Sequence, residues 1–334
     1  MKSLAIIISH PIQYYVPLFK LLAQHYNLKV FYTWGEEGSN AKYDPGFKKP
    51  VAWDIPLLEG YTYEFLTNAA KDAGSHHFNG IVNPDLIEKV KAFQPDAILV
   101  YGWAYKSHLK LLRHFKGKIP IWFRGDSTLL DEKKGIKQIL RTLFLKRVYR
   151  NVDKALHVGS ESKKYFRKFG IKEKDLIFVP HAVDNERFAV DRSKEAQQIR
   201  ASLNIKHNDI LVLFAGKLEH KKNPMLLLEA FIELDLLNVH LLFVGSGELE
   251  ESIKFRVLSL GSKVQSTESF LWHNKSLKER IHFMDFQNQT QMPAVYQACD
   301  LFCLPSQGPG ETWGLAVNEA MACGKAVLVS DKVG

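Results

Sequence analysis

Two glutamates, Glu311 and Glu319, lie near the end of the sequence around a glycine-rich loop. The apolar run 300–305 before the loop predicts a buried parallel strand, and the residues from 314 to 324 favour a helix. The N–H groups of a glycine-rich loop that leads into a helix form an anion site, and phosphate is the usual anion. A carboxylate there would repel phosphate unless it accepts hydrogen bonds from hydroxyl groups. The pattern therefore favours a sugar joined to a diphosphate over a bare phosphate.

The same glutamates have a simpler interpretation in which neither contacts a ligand. Glu311 would then cap the helix and offset its dipole, and Glu319 would be a solvated helical residue. The glycine-rich loop around the pair favours the ligand-binding interpretation.

The segment 304–331, LPSQGPGETWGLAVNEAMACGKAVLVSD, resembles the E-x7-E signature of glycosyltransferase family 4, the retaining sugar-nucleotide transferases of the GT-B fold. The resemblance implies that Glu311 lies against the donor sugar and Glu319 against the nucleotide ribose. It further implies that the intervening amides hold the diphosphate, with donor contacts from Gly310, Thr312, Trp313, Gly314 and Leu315.

A second set of donor candidates follows a predicted strand in the same half of the chain. Gly216 and Lys217 come directly after that strand, and Lys222 stands a few residues on. Family 4 has a glycine and two cations in this order, so the resemblance implies that both lysines bind the diphosphate. Two cations at the end of a strand can stabilise a departing diphosphate. The alternative is a solvated run of lysines, and Gly245, after the next strand, is a weaker donor candidate.

The N-terminal half begins with a predicted strand, a loop and a helix, the standard start of a doubly wound α/β domain. His10 and Gln13 in that loop are candidates for contact with an acceptor, although His10 could instead satisfy a local backbone group. The loop lacks G-x-G-x-x-G, which disfavours a nicotinamide dehydrogenase.

Arg124 and Asp126 follow a later predicted strand at 119–123. In family 4 a histidine or an acidic residue after this strand contributes to the reacting centre. The resemblance therefore implies that Arg124 or Asp126 stands there, both as acceptor-binding residues and Asp126 as a catalytic one. The alternative is that Asp126 and Ser127 cap the following helix.

Two further segments carry partner predictions. The aromatic-rich stretch 34–68 suits sugar stacking or lipid contact, and surface packing explains it nearly as well. The stretch 131–154 predicts a basic amphipathic helix, which is either a solvated surface element or a peripheral contact with anionic membrane.

Length, net charge and cysteine content limit the number of domains and the kinds of partner that the chain can have. The length of 334 residues predicts two domains, and the net charge of +9 could favour nucleic acid, membrane or phosphorylated substrates without choosing among them. Three cysteines without a C-x-x-C pair argue against disulfides or zinc and predict a cytoplasmic chain, at most associated with the inner face of the membrane. The apolar run at the N-terminus is too short for a signal peptide, and no stretch approaches a membrane span.

The sequence thus predicts an α/β protein of the GT-B type, with two doubly wound Rossmann-like domains facing a cleft. We expect an acceptor-binding domain at 1–188 and a nucleotide-sugar-binding domain at 189–334. Because the sequence stops soon after a strand where family 4 has further helices, the second domain is expected to be incomplete.

The expected function is a retaining glycosyltransferase of the hexosyltransferase type, in polysaccharide or lipid-linked glycan assembly. Its partners would be a nucleotide diphosphate-sugar and a glycan or lipid-linked acceptor, with no metal, no other cofactor and no nucleic acid. Glu311, Asp126 and Lys222 would be the catalytic residues. The alternatives are a nucleotide-sugar epimerase or phosphorylase of the same architecture, and a basic module that binds membrane or nucleic acid.

Overall fold

The computed structural model describes residues 1–39, 42–130, 132, 135–260, 277–308 and 310–333. Contacts divide the chain into two compact units. The first unit comprises Met1–Asn40 and Pro56–His181, and the second comprises Ala41–Ile55 and Ala182–Gly334.

The alternation of strands and helices that the sequence predicts is present in both units. The strands are β1 (Ser3–Ile8), β2 (Asn27–Tyr32), β3 (Lys42–Asp44), β4 (Lys49–Val51), β5 (Thr62–Phe65), β6 (Ala97–Tyr101), β7 (Ile121–Gly125), β8 (Lys154–His157), β9 (Leu176–Phe178), β10 (Ile210–Ala215), β11 (Val239–Val244), β12 (Ile281–Met284), β13 (Leu301–Leu304) and β14 (Ala326–Val329). The helices are α1 (Val16–His25), α2 (Leu86–Phe93), α3 (Lys106–Phe115), α4 (Ile136–Tyr149), α5 (Ser160–Lys168), α6 (Asn185–Ala189), α7 (Ser193–Ser202), α8 (Pro224–Leu234), α9 (Glu250–Leu258), α10 (Met292–Ala298) and α11 (Leu315–Ala322).

The first unit is built on a seven-stranded sheet in the order β5-β2-β1-β6-β7-β8-β9, with all pairings parallel. Its central strands are continuous apolar runs because helices cover both faces of a parallel sheet. Ile6 and Ile7 of β1 point to opposite faces and are both fully buried, each in a different hydrophobic cluster. The strand order reverses between β1 and β6, which is where an open α/β sheet forms a crevice.

The second unit contains a five-stranded parallel sheet in the order β12-β11-β10-β13-β14. Its order reverses between β10 and β13, so the expected crevice lies beyond the carboxyl ends of these two strands. The short antiparallel hairpin β3–β4 also belongs to this unit. The domain prediction assigns 41–55 to the N-terminal domain and ends that domain at 188, whereas contacts group 41–55 with the second unit and end the first at His181.

The three cysteines are free thiols on or beside the core of the second unit. Burial raises the pKa of Cys299 to about 12 and that of Cys303 to about 11. Both are therefore protonated and unreactive at neutral pH.

Candidate functional site

Two loops of the second unit meet beyond the carboxyl ends of β10 and β13. The first runs from Gly216 to Lys222, and the second occupies 305–308 and 310–314 before α11. Gln307 joins them, since its backbone N–H donates to the carbonyl of Lys221 at 2.9 Å and its side-chain amide donates to the carbonyl of His220 at 2.8 Å. We call the space that these loops line the β10–β13 crevice.

Lys222 and Glu311 form an ion pair across this crevice. The Lys222 Nζ lies 2.7 Å from the Glu311 Oε2, and the two side chains are only 15% and 9% exposed. Ser306 donates to the same oxygen at 3.4 Å. The N-cap residue of α11 is Gly314, so the alternative in which Glu311 caps the helix does not hold. The pair joins a cation and a carboxylate at the place where the sheet topology puts a ligand.

Glu319 lies inside α11 and is 4% exposed. Its Oε2 accepts a hydrogen bond from the Tyr296 hydroxyl at 2.7 Å. The alternative in which Glu319 is a solvated helical residue is therefore wrong. A carboxylate is costly to bury, so this side chain depends on its hydrogen-bond partners.

Glycines allow the backbone around the crevice to pack closely. Gly245 has φ +126°, and a Cβ there would lie 2.1 Å from the Gly216 carbonyl oxygen, so only glycine fits. Gly314 has φ +77°, and a Cβ there would lie 2.6 Å from the side chain of Val333. Gly310 also has positive φ, +87°. These predicted donor residues thus shape the backbone of the crevice.

The remaining predicted donor residues flank the start of α11. Thr312 and Trp313 are partly exposed, and Leu315 is the first residue of the helix. The Trp313 indole N–H donates to the Asn318 Oδ1 at 2.7 Å, which fixes the ring against the first turn.

Lys217 has a partner that the sequence did not predict. Its Nζ lies 2.8 Å from the Asp44 Oδ1 in the β3–β4 hairpin and 5.1 Å from the centre of the Phe47 ring. Partial burial acts to raise the pKa of Asp44, but Lys217 and the N–H groups of Phe47 and Gly46 together lower it below its ordinary value. Asp44 is therefore ionised at neutral pH. Residues so far apart in sequence give no local pattern that would pair them.

The first unit has a cavity of about 320 Å³ at the carboxyl ends of β1, β6 and β7. Arg124 and Asp126 line this cavity. His10 and Gln13 do not line it, although their neighbours in sequence, Ser9 and Ile12, do. A large part of the wall is aromatic, with side chains from Tyr15, Tyr101, Trp103, Tyr105, Phe123, Tyr149, Tyr165 and Phe166. Such a wall suits ring stacking with a few polar contacts.

Arg124 is 4% exposed and binds the chain's own backbone. Its guanidinium donates to the carbonyls of Val179 and Pro180 at 2.8 and 3.2 Å and lies 3.5 Å from the His181 Nδ1. Burial, aided by the Arg124 charge, lowers the pKa of His181 to about 4. These contacts give Arg124 a structural role at the end of the first unit in addition to its place in the cavity wall.

The other predictions for the first unit have mixed outcomes. Asp126 is exposed and precedes α4 by many residues, with Gly135 at the N-cap, so the alternative in which Asp126 and Ser127 cap that helix is wrong. His10 lies 2.9 Å through its Nδ1 from the Ser9 hydroxyl and packs edge-on against Trp34. Gln13 is buried.

Across the residues that the structure describes, one group has the composition of a metal site. Ligand atoms of Asp72, His76 and His77 lie within 4.8 Å of one another in the first unit. The His77 Nε2 already lies 3.3 Å from the Asp72 carboxylate and 3.0 Å from the Asp72 carbonyl oxygen. The group is remote in sequence from every predicted donor residue.

Helix α4 forms most of the described part of the basic segment 131–154, in which residues 131, 133 and 134 lie outside the described residues. Leu145, Val148 and Tyr149 of this helix are buried in the core of the first unit. Five other apolar side chains are exposed: Ile136 78%, Ile139 62%, Leu140 62%, Leu143 61% and Phe144 41%. Exposed cations accompany them at Lys137, Arg141, Lys146, Arg147 and Arg150. Among the described helices, none has the length and apolar character needed to cross a bilayer.

Comparison with known proteins gives a family match for the C-terminal part. Residues 195–334 match the family model described as "Glycosyl transferases group 1". A lipopolysaccharide 1,2-N-acetylglucosaminetransferase of Salmonella typhimurium is 29% identical over 182 residues, which cover 54% of this chain and 45% of that protein. An α-1,4-N-acetyl-D-galactosaminyltransferase of Campylobacter jejuni, whose full name specifies a diNAcBac-PP-undecaprenol-linked substrate, is 34% identical over 125 residues, 36% of this chain and 31% of its own. The matches thus span less than half of these relatives.

Similar solved structures cover nearly the whole chain. HepE from Anabaena in complex with UDP has a TM-score of 0.64 at 20% identity, over 99% of this chain and 81% of that one. WaaG, a glycosyltransferase involved in lipopolysaccharide biosynthesis, has a TM-score of 0.59 at 13% identity, over 98% and 81% of the two chains. The fold is therefore GT-B, with two Rossmann-like domains, as the sequence predicts.

Proposed function

We propose that this chain is a glycosyltransferase that moves a sugar from a nucleotide diphosphate-sugar to an acceptor hydroxyl in polysaccharide or lipid-linked glycan assembly. The observation that carries the proposal is the Lys222–Glu311 ion pair, 2.7 Å long, in the β10–β13 crevice. The family match over residues 195–334 and the likeness to a UDP complex support it.

The donor would lie along this crevice. Lys217 and Lys222 can each donate to a phosphate oxygen, and the N–H groups before α11 add the partial positive charge of a helix start. Glu311, held by Lys222 and Ser306, would accept hydrogen bonds from the sugar hydroxyls. Glu319 at its buried position would bind the ribose.

The reaction we propose breaks the bond between the anomeric carbon and the diphosphate oxygen and forms a bond to the acceptor oxygen on the same face. Negative charge then grows on the departing diphosphate, where Lys217, Lys222 and the loop amides can stabilise it without a metal ion. The acceptor hydroxyl would transfer its proton to the leaving diphosphate oxygen as the new bond forms, and Asp126 in the first unit would contact that hydroxyl. Retention of configuration is part of the proposal and would be tested by the anomeric form of the product.

The acceptor would use the cavity of the first unit. Sugar rings stack on aromatic side chains through their apolar faces, and this cavity offers Tyr15, Tyr101 and Trp103 beside Arg124 and Asp126. A hexose fits within about 320 Å³. We propose that this is where the accepting glycan residue binds.

A panel of UDP- and GDP-sugars tests the donor assignment by thermal stabilisation, since a ligand that binds only the folded state raises Tm. We expect one donor to raise Tm in the wild-type chain and not in Glu311→Ala. Incubation of the chain with the same donor and no acceptor distinguishes a glycosyltransferase from an epimerase, because an epimerase converts its nucleotide sugar without an acceptor. Conversion without acceptor, or a panel that raises Tm equally in both proteins, would contradict the proposal.

We further propose that α4 brings the enzyme to anionic membrane. Five apolar side chains of this helix are exposed beside a set of cations, and the two together favour an anionic lipid surface over solvent. Co-sedimentation with vesicles containing about one-third anionic phospholipid should fall on the double change Leu140→Ser and Leu143→Ser. The matched control is Leu234→Ser with Leu237→Ser, which alters leucines of the second unit that are 59% and 74% exposed. Equal binding by the two variants would contradict the membrane contact.

A further inference from the structure

The β3–β4 hairpin places the Asp44 carboxylate against Lys217, one of the two lysines predicted to bind the diphosphate. Asp44 closes the turn at the hairpin tip, residues 44–47, where its Oδ1 accepts from the N–H groups of Gly46 at 2.8 Å and Phe47 at 3.1 Å. The same oxygen lies 2.8 Å from the Lys217 Nζ. The tip packs closely on that lysine, since a Cβ at Gly46 would lie 2.5 Å from the Lys217 Cδ.

The rest of the hairpin segment is attached to the second unit at a distance from this contact. Lys49 pairs with Asp285 after β12, and the Asn288 amide donates to the Ala52 carbonyl at 2.6 Å. The Thr290 N–H donates to Asp54 at 3.1 Å. Apart from the Lys217 contacts, the Ser246 hydroxyl donates to the Phe47 carbonyl at 2.7 Å, and the Phe47 ring packs edge-on against Phe286 with ring centres 4.8 Å apart. The attachments of the base do not involve Lys217, so they can persist when the tip moves away from that lysine.

The charges at the crevice are balanced before any ligand enters. Lys222 is paired with Glu311, and Lys217 is paired with Asp44. A diphosphate brings about two negative charges, so if it bound both lysines while both carboxylates remained, about two negative charges would be left without a cation. The Lys222 pair is nearly buried, and Glu311 has a proposed task on the sugar. The Lys217 pair is 30% exposed on each side, which makes it the weaker of the two.

We propose that Asp44 is a built-in counter-ion of Lys217 that the donor's diphosphate displaces, so that the hairpin tip leaves Lys217 as the donor enters. This inference rests on the proposed function of the crevice and identifies Asp44 as a positioning residue. Before binding, the carboxylate holds the lysine side chain at the end of β10 and excludes weaker anions. When the diphosphate binds, it replaces Asp44 as the anionic partner of Lys217.

Isothermal titration with inorganic pyrophosphate tests the exchange without any sugar or acceptor. The full chain is compared with Asp44→Asn, whose amide oxygen can still accept from Gly46 and Phe47 while the charge is gone. The matched control is Asp54→Asn, the same change in the same segment at a carboxylate that binds Thr290 rather than a lysine. We expect Kd for pyrophosphate to fall about fivefold to tenfold in Asp44→Asn and to stay within about twofold in Asp54→Asn, since a tenfold change corresponds to one strong electrostatic contact.

Amide hydrogen exchange of the peptide 42–51 gives a second readout. Pyrophosphate should speed exchange there in the wild-type chain, and Asp44→Asn should show faster exchange before any ligand is added. Weaker or unchanged pyrophosphate binding by Asp44→Asn, no binding by either protein, or slower exchange on addition of pyrophosphate would each overturn the inference. Sugar transfer by the wild-type chain together with any of these results would leave the proposed function intact and refute the exchange alone.

Discussion

The two crevices of this chain have the same topological origin and different chemistry. In the first unit the strand order reverses between β1 and β6, and in the second between β10 and β13. The first crevice has aromatic walls, and its buried cation, Arg124, donates to the chain's own carbonyls. The second has lysines and carboxylates that pair with one another across loops. Parallel-sheet topology thus provides the place, and the loop residues decide what binds there.

The difference also concerns what each cation can do. Arg124 is committed to Val179 and Pro180, so moving it would leave two carbonyls without their donor. Lys217 and Lys222 hold carboxylates that an incoming anion can replace or rearrange. We therefore expect substitution of Arg124 to act mainly on stability, and substitution of Lys217 or Lys222 to act mainly on turnover.

The largest expected effect is on catalysis in the second crevice. Lys222→Ala and Glu311→Ala should each lower kcat by on the order of a hundredfold, the loss typical of one transition-state contact. Steady-state transfer from the donor found in the thermal panel is the measurement. Lys221→Ala is the control, because its Nζ pairs with Glu219 at 3.4 Å and only its backbone carbonyl binds the second loop. Equal losses of kcat in all three variants would contradict a specific catalytic role for Lys222 and Glu311.

Arg124→Met should act mainly on stability. It leaves the carbonyls of Val179 and Pro180 without their guanidinium donor, at a cost of about 2 to 4 kcal/mol. Urea unfolding followed by circular dichroism measures the loss. Arg141→Met is the matched control, since Arg141 also lines the cavity but is 46% exposed and should cost under about 1 kcal/mol. A stable Arg124→Met protein would contradict the structural role.

Acid should destabilise the chain through buried neutral histidines. Burial lowers the pKa of His181 and of His108 to about 4, below the ordinary value of 6.5. The unfolded chain then binds more protons at these two histidines than the folded one below about pH 6.5, so their contribution to stability is constant above that pH and falls as pH drops toward 4. We expect a loss on the order of 1 to 2 kcal/mol per histidine between pH 7 and pH 5. His181→Gln should flatten this slope, and an unchanged slope would refute the assignment.

The smallest expected effect comes from Tyr296→Phe. It removes the hydrogen bond from the tyrosine hydroxyl to the Glu319 Oε2, at a cost of about 1 kcal/mol in stability. If Glu319 binds the ribose, donor KM should also rise a few-fold while kcat stays within about twofold. A lower Tm with unchanged KM would restrict Glu319 to a structural role.

The sequence predicts most strands of the two parallel sheets because parallel strands buried on both faces are continuous apolar runs. It does not predict β3, β4 and β5, which lie in the weakly periodic stretch 34–68. It also identifies both loops of the second crevice, since Lys217 and Lys222 follow one strand and Glu311 follows its spatial neighbour, and the carboxyl ends of parallel strands meet at one edge. These residues can be predicted from the sequence because glycines and charged residues lie close together along the chain there.

Other features depend on contacts between residues that are distant in sequence. Nothing in the local pattern around Asp44 indicates that it reaches Lys217, or that the hairpin belongs to the second unit. The hydrogen bonds from Arg124 to the carbonyls of Val179 and Pro180 cannot be predicted from the sequence either, because every residue has a backbone carbonyl. The exposure of the α4 apolar side chains also depends on which side of the helix packs against the sheet, which periodicity alone does not decide.

The most direct test of the account is a crystal structure of the chain with the nucleotide sugar that stabilises it most. We predict that the diphosphate lies within hydrogen-bonding distance of the Nζ atoms of Lys217 and Lys222, with sugar hydroxyls on Glu311. A donor bound away from the β10–β13 crevice, or bound there with the Lys222–Glu311 pair untouched and no contact to either residue, would contradict the account.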